Sequence, residues 1–217
     1  MDEVAAAVRA VREGDLEGLR ALLAEHPGLA TARVEGPRTL LHVLADHPGH
    51  RPRAAGTVTL LVGAGADVDA RFSGPHVETP LHWAASNDDV ATIDALLDAG
   101  AWIDAPGAVL GGGSPLADAC GFGQWRAAAR LVERGATLTL EQAAALGRDD
   151  DVARLTGSGD LDVAFWYACH GGRLATAQGL AARGADPHAR MPWEPATPLE
   201  AAEQAGADDV VGWLRGR

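Results

Sequence analysis

Three sets of side chains in this chain have the types that chemistry needs. His42, Asp46, His47 and His50 are the first, and His42 and Asp46 stand four apart on one helical face. Imidazoles and a carboxylate are zinc-ligand types, but the run Asp46-His47-Pro48-Gly49-His50 follows no known ligand spacing. The second set, Asp118, Tyr167 and His170, offers a carboxylate, a phenol and an imidazole for general acid–base work. Cys120 and Cys169 form the third; a thiol nucleophile would need an activating base and an exposed thiolate. Gly111-Gly112-Gly113 imitates a phosphate loop but lacks the downstream Gly-Lys-Ser/Thr, and glycines there suit a turn. All 18 basic residues are Arg, which removes Schiff-base and lysine-nucleophile chemistry. No catalytic residue, metal site or cofactor is assigned on this basis.

Composition narrows the partners. The chain is 47% hydrophobic and 22% charged, enough apolar content to bury a core. That content is mostly Ala, Leu and Val, which suits close-packed helices. Aromatics are scarce at 5%, and 6 of them are Trp. The net charge of −12 leaves no basic stripe to displace counterions from a nucleic acid or to meet an anionic membrane. No apolar run reaches membrane-spanning length. The start Met1-Asp2-Glu3 lacks the basic residues of a signal peptide, and two cysteines make no disulfide framework. The expectation is a soluble, cytoplasmic monomer.

The elements that hold these residues come from an internal repeat. Thr79–Ala85 (TPLHWAA) recurs as Thr39–Ala45 (TLLHVLA), Ser114–Cys120 (SPLADAC) and Thr197–Ala202 (TPLEAA). Weaker copies begin at Leu138 and Val163, and the N-terminal segment fits from Ala5. With the first residue as position 0, position 17 carries Leu96, Leu131, Leu155, Leu180 and Leu214, and position 21 carries Gly100, Gly135, Gly159 and Gly184. Thr or Ser caps a first helix, Pro fits its first turn, and the Ala pair lets helices approach. The Gly near position 9 turns the chain, Leu at 17 buries against a neighbour, and Gly at 21 ends the second helix in a left-handed cap. One such unit cannot bury its own apolar face, so units must stack.

TPLH, an Ala pair, a double Leu and Gly-Ala-Asp resemble the ankyrin repeat, most specifically over Thr79–Ala105. The resemblance implies an all-α fold, an ankyrin-repeat solenoid of about seven helix–turn–helix repeats with short β-hairpin fingers. It covers residues 1–217 as a single domain with repeats starting near 5, 39, 79, 114, 138, 163 and 197. It further implies that His42 and His82 bond the backbone of the adjacent loop and that Cys120 and Cys169 are packing residues. The pattern departs from the family in two places. Residues 47–56 add a segment between the helices of the second repeat, expected to be dispensable for folding. The short steps after 114 and 138 leave no room for fingers, so finger walls are expected only at Pro27–Arg38, Ala66–Glu78, Ala101–Gly113 and Ala185–Ala196.

The resemblance also implies binding of another protein through the fingers and the concave face of the first helices. The residues placed there are His76, Glu78, Trp83, Ser86, Asn87, Asp118 and Phe122 in one cluster, and Tyr167, His170, Trp193, Glu194 and Gln204 in a second. Tyr and Trp are common interface anchors, and an acidic groove calls for a basic partner segment. Trp125 and Trp213, on second helices, are expected to pack or to lie on the surface. The alternative is a small-molecule-binding or catalytic protein with a pocket in the groove near the short fourth to sixth repeats, which would have to gather Asp118 or His170 with convergent polar groups.

Overall fold

The computed structural model describes residues 3–109, 111–191 and 194–216. Among the described residues, fourteen α-helices follow one another with no sheet. They run in consecutive pairs: α1 (Glu3–Glu13) with α2 (Leu16–Glu25), α3 (Leu40–Ala45) with α4 (Ala54–Gly63), α5 (Pro80–Ser86) with α6 (Val90–Asp98), and α7 (Pro115–Gly121) with α8 (Trp125–Glu133). Then come α9 (Leu140–Leu146) with α10 (Asp149–Leu155), α11 (Leu161–His170) with α12 (Leu174–Ala182), and α13 (Pro198–Gln204) with α14 (Asp208–Arg215).

The chain forms two compact units. One holds Met1–Ala119 and Arg126–Ala136, the other Cys120–Trp125 and Thr137–Arg217. In the first unit α1 packs on α3 and α3 on α5, while α2 packs on α4 and α4 on α6. In the second, α9, α11 and α13 pack in order, and α12 meets α14. First helices thus meet first helices and second helices meet second helices. The buried residues are those of the repeat: Leu81, Ala84, Ala85 and Leu96 are 0% exposed, as are Ala143, Ala144, Ala168, Cys169 and Leu180. The N-terminal pair differs slightly, burying Leu19 and Leu23 while Leu22 is half-buried.

Two backbone bonds explain why the frame repeats. Inside five of the helical pairs, the N–H of position 10 reaches the carbonyl of position 5. It recurs as Asp15 to Ala10, Asp89 to Ala84, Arg148 to Ala143, Arg173 to Ala168 and Ala207 to Ala202, at 2.8–3.0 Å. The turn needs a left-handed residue at position 9, Gly172 (φ +68°) for example, although Asp88 takes the same conformation at φ +53°. Its carboxylate then accepts the Ala127 N–H of α8 at 2.7 Å. After the second helix, Ala101 N–H bonds Leu96 O and Ala185 N–H bonds Leu180 O, closing it as a Schellman cap around Gly100 and Gly184.

The structure shifts three boundaries. The fifth first-helix is capped by Thr139, one residue after the expected Leu138, because Gln142 accepts the Thr139 N–H in a capping box. The sixth is capped by Asp160 and begins at Leu161, ahead of Val163. In the fifth repeat Gly157 (φ +104°), not Gly159, follows the helix end, since α10 stops at Leu155. The connections 134–139 and 156–160 are short, as the repeat steps require, while 99–114 is long. The long connections are bridged turns rather than paired strands: Val34 bridges Arg38, Met191 bridges Glu194, and Phe72 N–H bonds Glu78 O. Prolines at 37, 75, 106 and 195 lack the N–H a ladder would use.

The 47–56 segment is not a free loop. His50 N–H bonds the Asp89 carboxylate at 2.6 Å, His47 Nδ1 lies 3.2 Å from Asn87 Oδ1, and Ala54 is buried at the start of α4. On its other side Pro52 lies against Gly14, where an added Cβ would sit 2.5 Å from the Pro52 carbonyl. The segment therefore packs against both neighbouring repeats, which makes a contribution to folding the expectation to test.

Candidate functional site

The residues that looked reactive are mostly built into the scaffold. His42 Nδ1 accepts the Thr39 N–H (3.3 Å) and its Nε2–H donates to the Glu78 carbonyl (3.3 Å). His82 repeats this with Thr79 (3.1 Å) and Gly113 (3.3 Å). Both rings are fully buried, and burial lowers each pKa to about 4, so both stay neutral at neutral pH. Trp166 occupies the same repeat position, and its indole N–H donates to the Ala196 carbonyl at 2.9 Å. The three donors share one role: each fastens the residue that precedes the next first-helix cap. Cys120 and Cys169 are free and fully buried, and burial pushes both thiols up to about 12. Among the described residues, no group of three His, Cys, Asp or Glu is placed to hold a metal ion.

In the first unit, Glu78 and Trp83 come together. The Glu78 carboxyl is buried, 8% exposed, and burial raises its pKa against the hydrogen bond from the Trp83 side chain. Trp83 is half-buried between two neighbours that repeat spacing does not place: Phe72 at 5.2 Å between centroids and the Arg38 guanidinium 5.4 Å over the ring. His42 meets the same indole edge-on at 5.0 Å. Arg38 itself pairs with Asp46 at 2.8 Å. Ser86 and Asn87 are turned inward: Ser86 Oγ donates to His82 O, and Asn87 Nδ2 donates to Ala45 O and Trp83 O, each at 2.9 Å. His76 is exposed, and Asp118 is fully buried.

The second unit gathers a larger aromatic group. His170 stacks on Trp166 at 5.1 Å and 23°, and tilts against Trp125 at 5.5 Å. Tyr167, half-buried, meets Trp166 edge-on at 5.2 Å. The His170 Nε2 is buried with no hydrogen-bond partner among the described residues. Burial lowers the ring's pKa, partly offset by the nearby Cys120 and Gly121 carbonyls and by Glu194. Arg173 lies 5.8 Å over Trp125 and donates to Ala145 O. Glu194 is half-buried and accepts the Ala196 N–H at 3.0 Å. Phe122, 46% exposed, and Gln204 face solvent, and Trp193 lies outside the described residues. Asp118 belongs to the first unit and His170 to the second.

Trp166, Phe72, Arg38 and Trp125 are the contributors that sequence reasoning missed. Trp166 was findable, since it stands at the repeat position of His42 and His82. Phe72 and Arg38 sit in long connections whose path the repeat does not specify. Trp125 opens a second helix, where a partner on the following repeat cannot be read from spacing.

What these sites share is a repeat that turns its polar donors toward the next loop and leaves aromatic and acidic groups at its margins. No match is found among the curated proteins. Residues 78–108, the third helical pair with the start of its loop, match the family model for the ankyrin repeat, and the helical structure is consistent with an ankyrin-repeat protein.

Proposed function

We propose that the chain is a protein-binding scaffold, holding a segment of a partner through the concave face of its first helices and through its fingers. Ankyrin repeats are generally protein-interaction modules, and the match over 78–108 is the observation that carries this reading. The placement of the side chains supports it. His42 and His82 are neutral, buried and hydrogen-bonded and both thiols are buried, whereas Tyr167, Phe122, His76, Glu194 and Gln204 keep exposed surface. The acid excess, 30 Asp and Glu against 18 Arg, favours a basic partner segment and disfavours nucleic acid. On this reading the chain works as a cytoplasmic monomer without a cofactor.

The test is affinity capture from the native host with the full chain as bait, followed by titration of the captured protein. A Tyr167→Ala variant with unchanged helical circular dichroism should bind it more weakly. Capture of no protein, or equal binding by wild type, Tyr167→Ala and Gln204→Ala, would overturn the reading.

A further inference from the structure

Trp102 is the most exposed aromatic among the described residues, at 55%. It stands at a repeat position held by smaller polar residues elsewhere: Gly65-Ala66-Asp67, Gly135-Ala136-Thr137 and Gly184-Ala185-Asp186 correspond to Gly100-Ala101-Trp102. Its backbone is pinned on both sides. The Trp102 N–H donates to both Asp69 carboxylate oxygens at 3.0 and 3.2 Å, and its carbonyl accepts the Ala105 N–H at 3.1 Å. Asp69 is held in turn, its N–H bonding Asp67 Oδ1 at 3.0 Å. The flanking Ala101 and Ala105 are buried. A bulky indole is thus displayed on a backbone that cannot retract it.

The two loops 66–78 and 101–113 are joined between residues 69–77 and 102–107. Besides the Asp69–Trp102 bonds, Arg71 Nη1 donates to the Val77 and Pro106 carbonyls. Gly107 approaches so closely that an added Cβ would lie 2.6 Å from the Val77 oxygen. Val77, 56% exposed, is on this same joined pair. Among the described residues, two of the three large exposed apolar side chains stand on this pair, whose backbone at Trp102 is held by the Asp69 carboxylate and whose Arg71 donates to carbonyls.

We propose that this loop pair is a docking surface for a basic segment of the partner protein, with an Arg or Lys side chain lying over the Trp102 ring and the Asp67 and Asp69 carboxylates facing its charge. An indole face is the strongest aromatic acceptor for a cation, and a carboxylate beside it adds charge complementarity. A second copy of this chain would bring like charge, −12 against −12. The inference rests on the protein-binding reading, but it places the basic segment on the loops of the first unit and depends on different residues.

The experiment uses the full chain and a fluorescent octa-arginine peptide, read by anisotropy at low and at physiological salt. Trp102→Ala should weaken binding about tenfold, and Trp102→Phe, which keeps a ring, by no more than about threefold. Asp150→Asn, a charge change on exposed α10 in the other unit, should alter it by less than about twofold. Equal loss in Trp102→Ala and Asp150→Asn would mean bulk charge attraction and overturn the site. So would an unaffected Trp102→Ala, or equal binding of an uncharged apolar peptide to the same indole. A native partner captured equally by wild type and Trp102→Ala would sink this inference and leave the scaffold reading standing, whereas capture of none would sink that reading whatever the peptide does.

Discussion

One position in the repeat decides much of the chemistry at the residue scale. Position 3 is filled by His42, His82 and Trp166, and each sends an N–H to the carbonyl that precedes the next first helix. Replacing Trp166 by Phe keeps the ring and orphans the buried Ala196 carbonyl, which should cost about 1–3 kcal/mol in urea unfolding. The histidines add a pH dependence. Their folded pKa of about 4 lies below the ordinary 6.5, so the unfolded chain takes up protons first. The stabilisation is complete above about pH 6.5 and is lost as pH falls toward 4, up to about 3 kcal/mol for each ring. His82→Gln should remove its share of this slope, since Gln142 already accepts a Thr139 N–H in that way at 2.9 Å. An unchanged difference in unfolding free energy between pH 7 and pH 5 would show that these rings are not its source. Glu200 sets a third form of the same box: the Thr197 N–H and hydroxyl hold its carboxyl below the usual range.

The repeat frame was legible at the scale of elements because its two recurrent bonds are local in sequence, five residues apart. Chain-local bonds leave a periodic residue signature, so the places of Gly100 and Leu96 follow from spacing alone. The caps at Thr139 and Asp160 do not, because the packing frame and the capping residue drift apart when a first helix gains or loses a turn end. The packing of the 47–56 segment is not legible for a related reason: nothing in its own residues announces that Asp89 waits for it. That carboxylate is 0% exposed and accepts from His50 N–H, Thr92 N–H and Thr92 Oγ1. Trimming His50–Ala54 removes one donor and the first residue of α4, so it should cost more than about 2 kcal/mol, where a free loop would cost under about 1. Asp89→Ala should be at least as severe, about 2–4 kcal/mol, since α6 loses its cap and the buried donors lose their acceptor. Thermal melts of the two variants decide the point; near-wild-type stability in the trimmed chain would return the segment to the status of a free loop.

For the molecule as a whole, the decisive quantity is where its charge remains available. Much of the arginine is consumed internally: Arg130 and Arg134 both bond Asp94, Arg134 also takes Asp98, and Arg148 and Arg154 both take Asp151. Burial raises Asp94, yet its two arginine bonds more than offset that and hold it below its ordinary value. Since these pairs cancel, part of the net −12 is carried by carboxylates that face solvent, Asp67 and Asp150 among them. The candidate aromatic groups are embedded in this acidic surface but differ in what they can offer. Trp83 already carries Arg38 over its ring and Trp125 carries Arg173, so a partner's cation would have to displace a tethered one at either. Trp83→Ala should therefore lower stability more than it lowers partner affinity. Tyr167 is braced edge-on by Trp166 and keeps part of its surface exposed, the arrangement of a rigid aromatic anchor. Tyr167→Ala should weaken a partner by about 1–3 kcal/mol with the helical spectrum unchanged. If the partner segment is basic, raising the salt should weaken wild type and Tyr167→Ala by the same factor, because screening acts on the acidic surface and not on the lost ring contact. Isothermal titration at two salt concentrations separates the terms: a salt-independent affinity removes the basic partner, and an unaffected Tyr167→Ala moves the anchor away from α11.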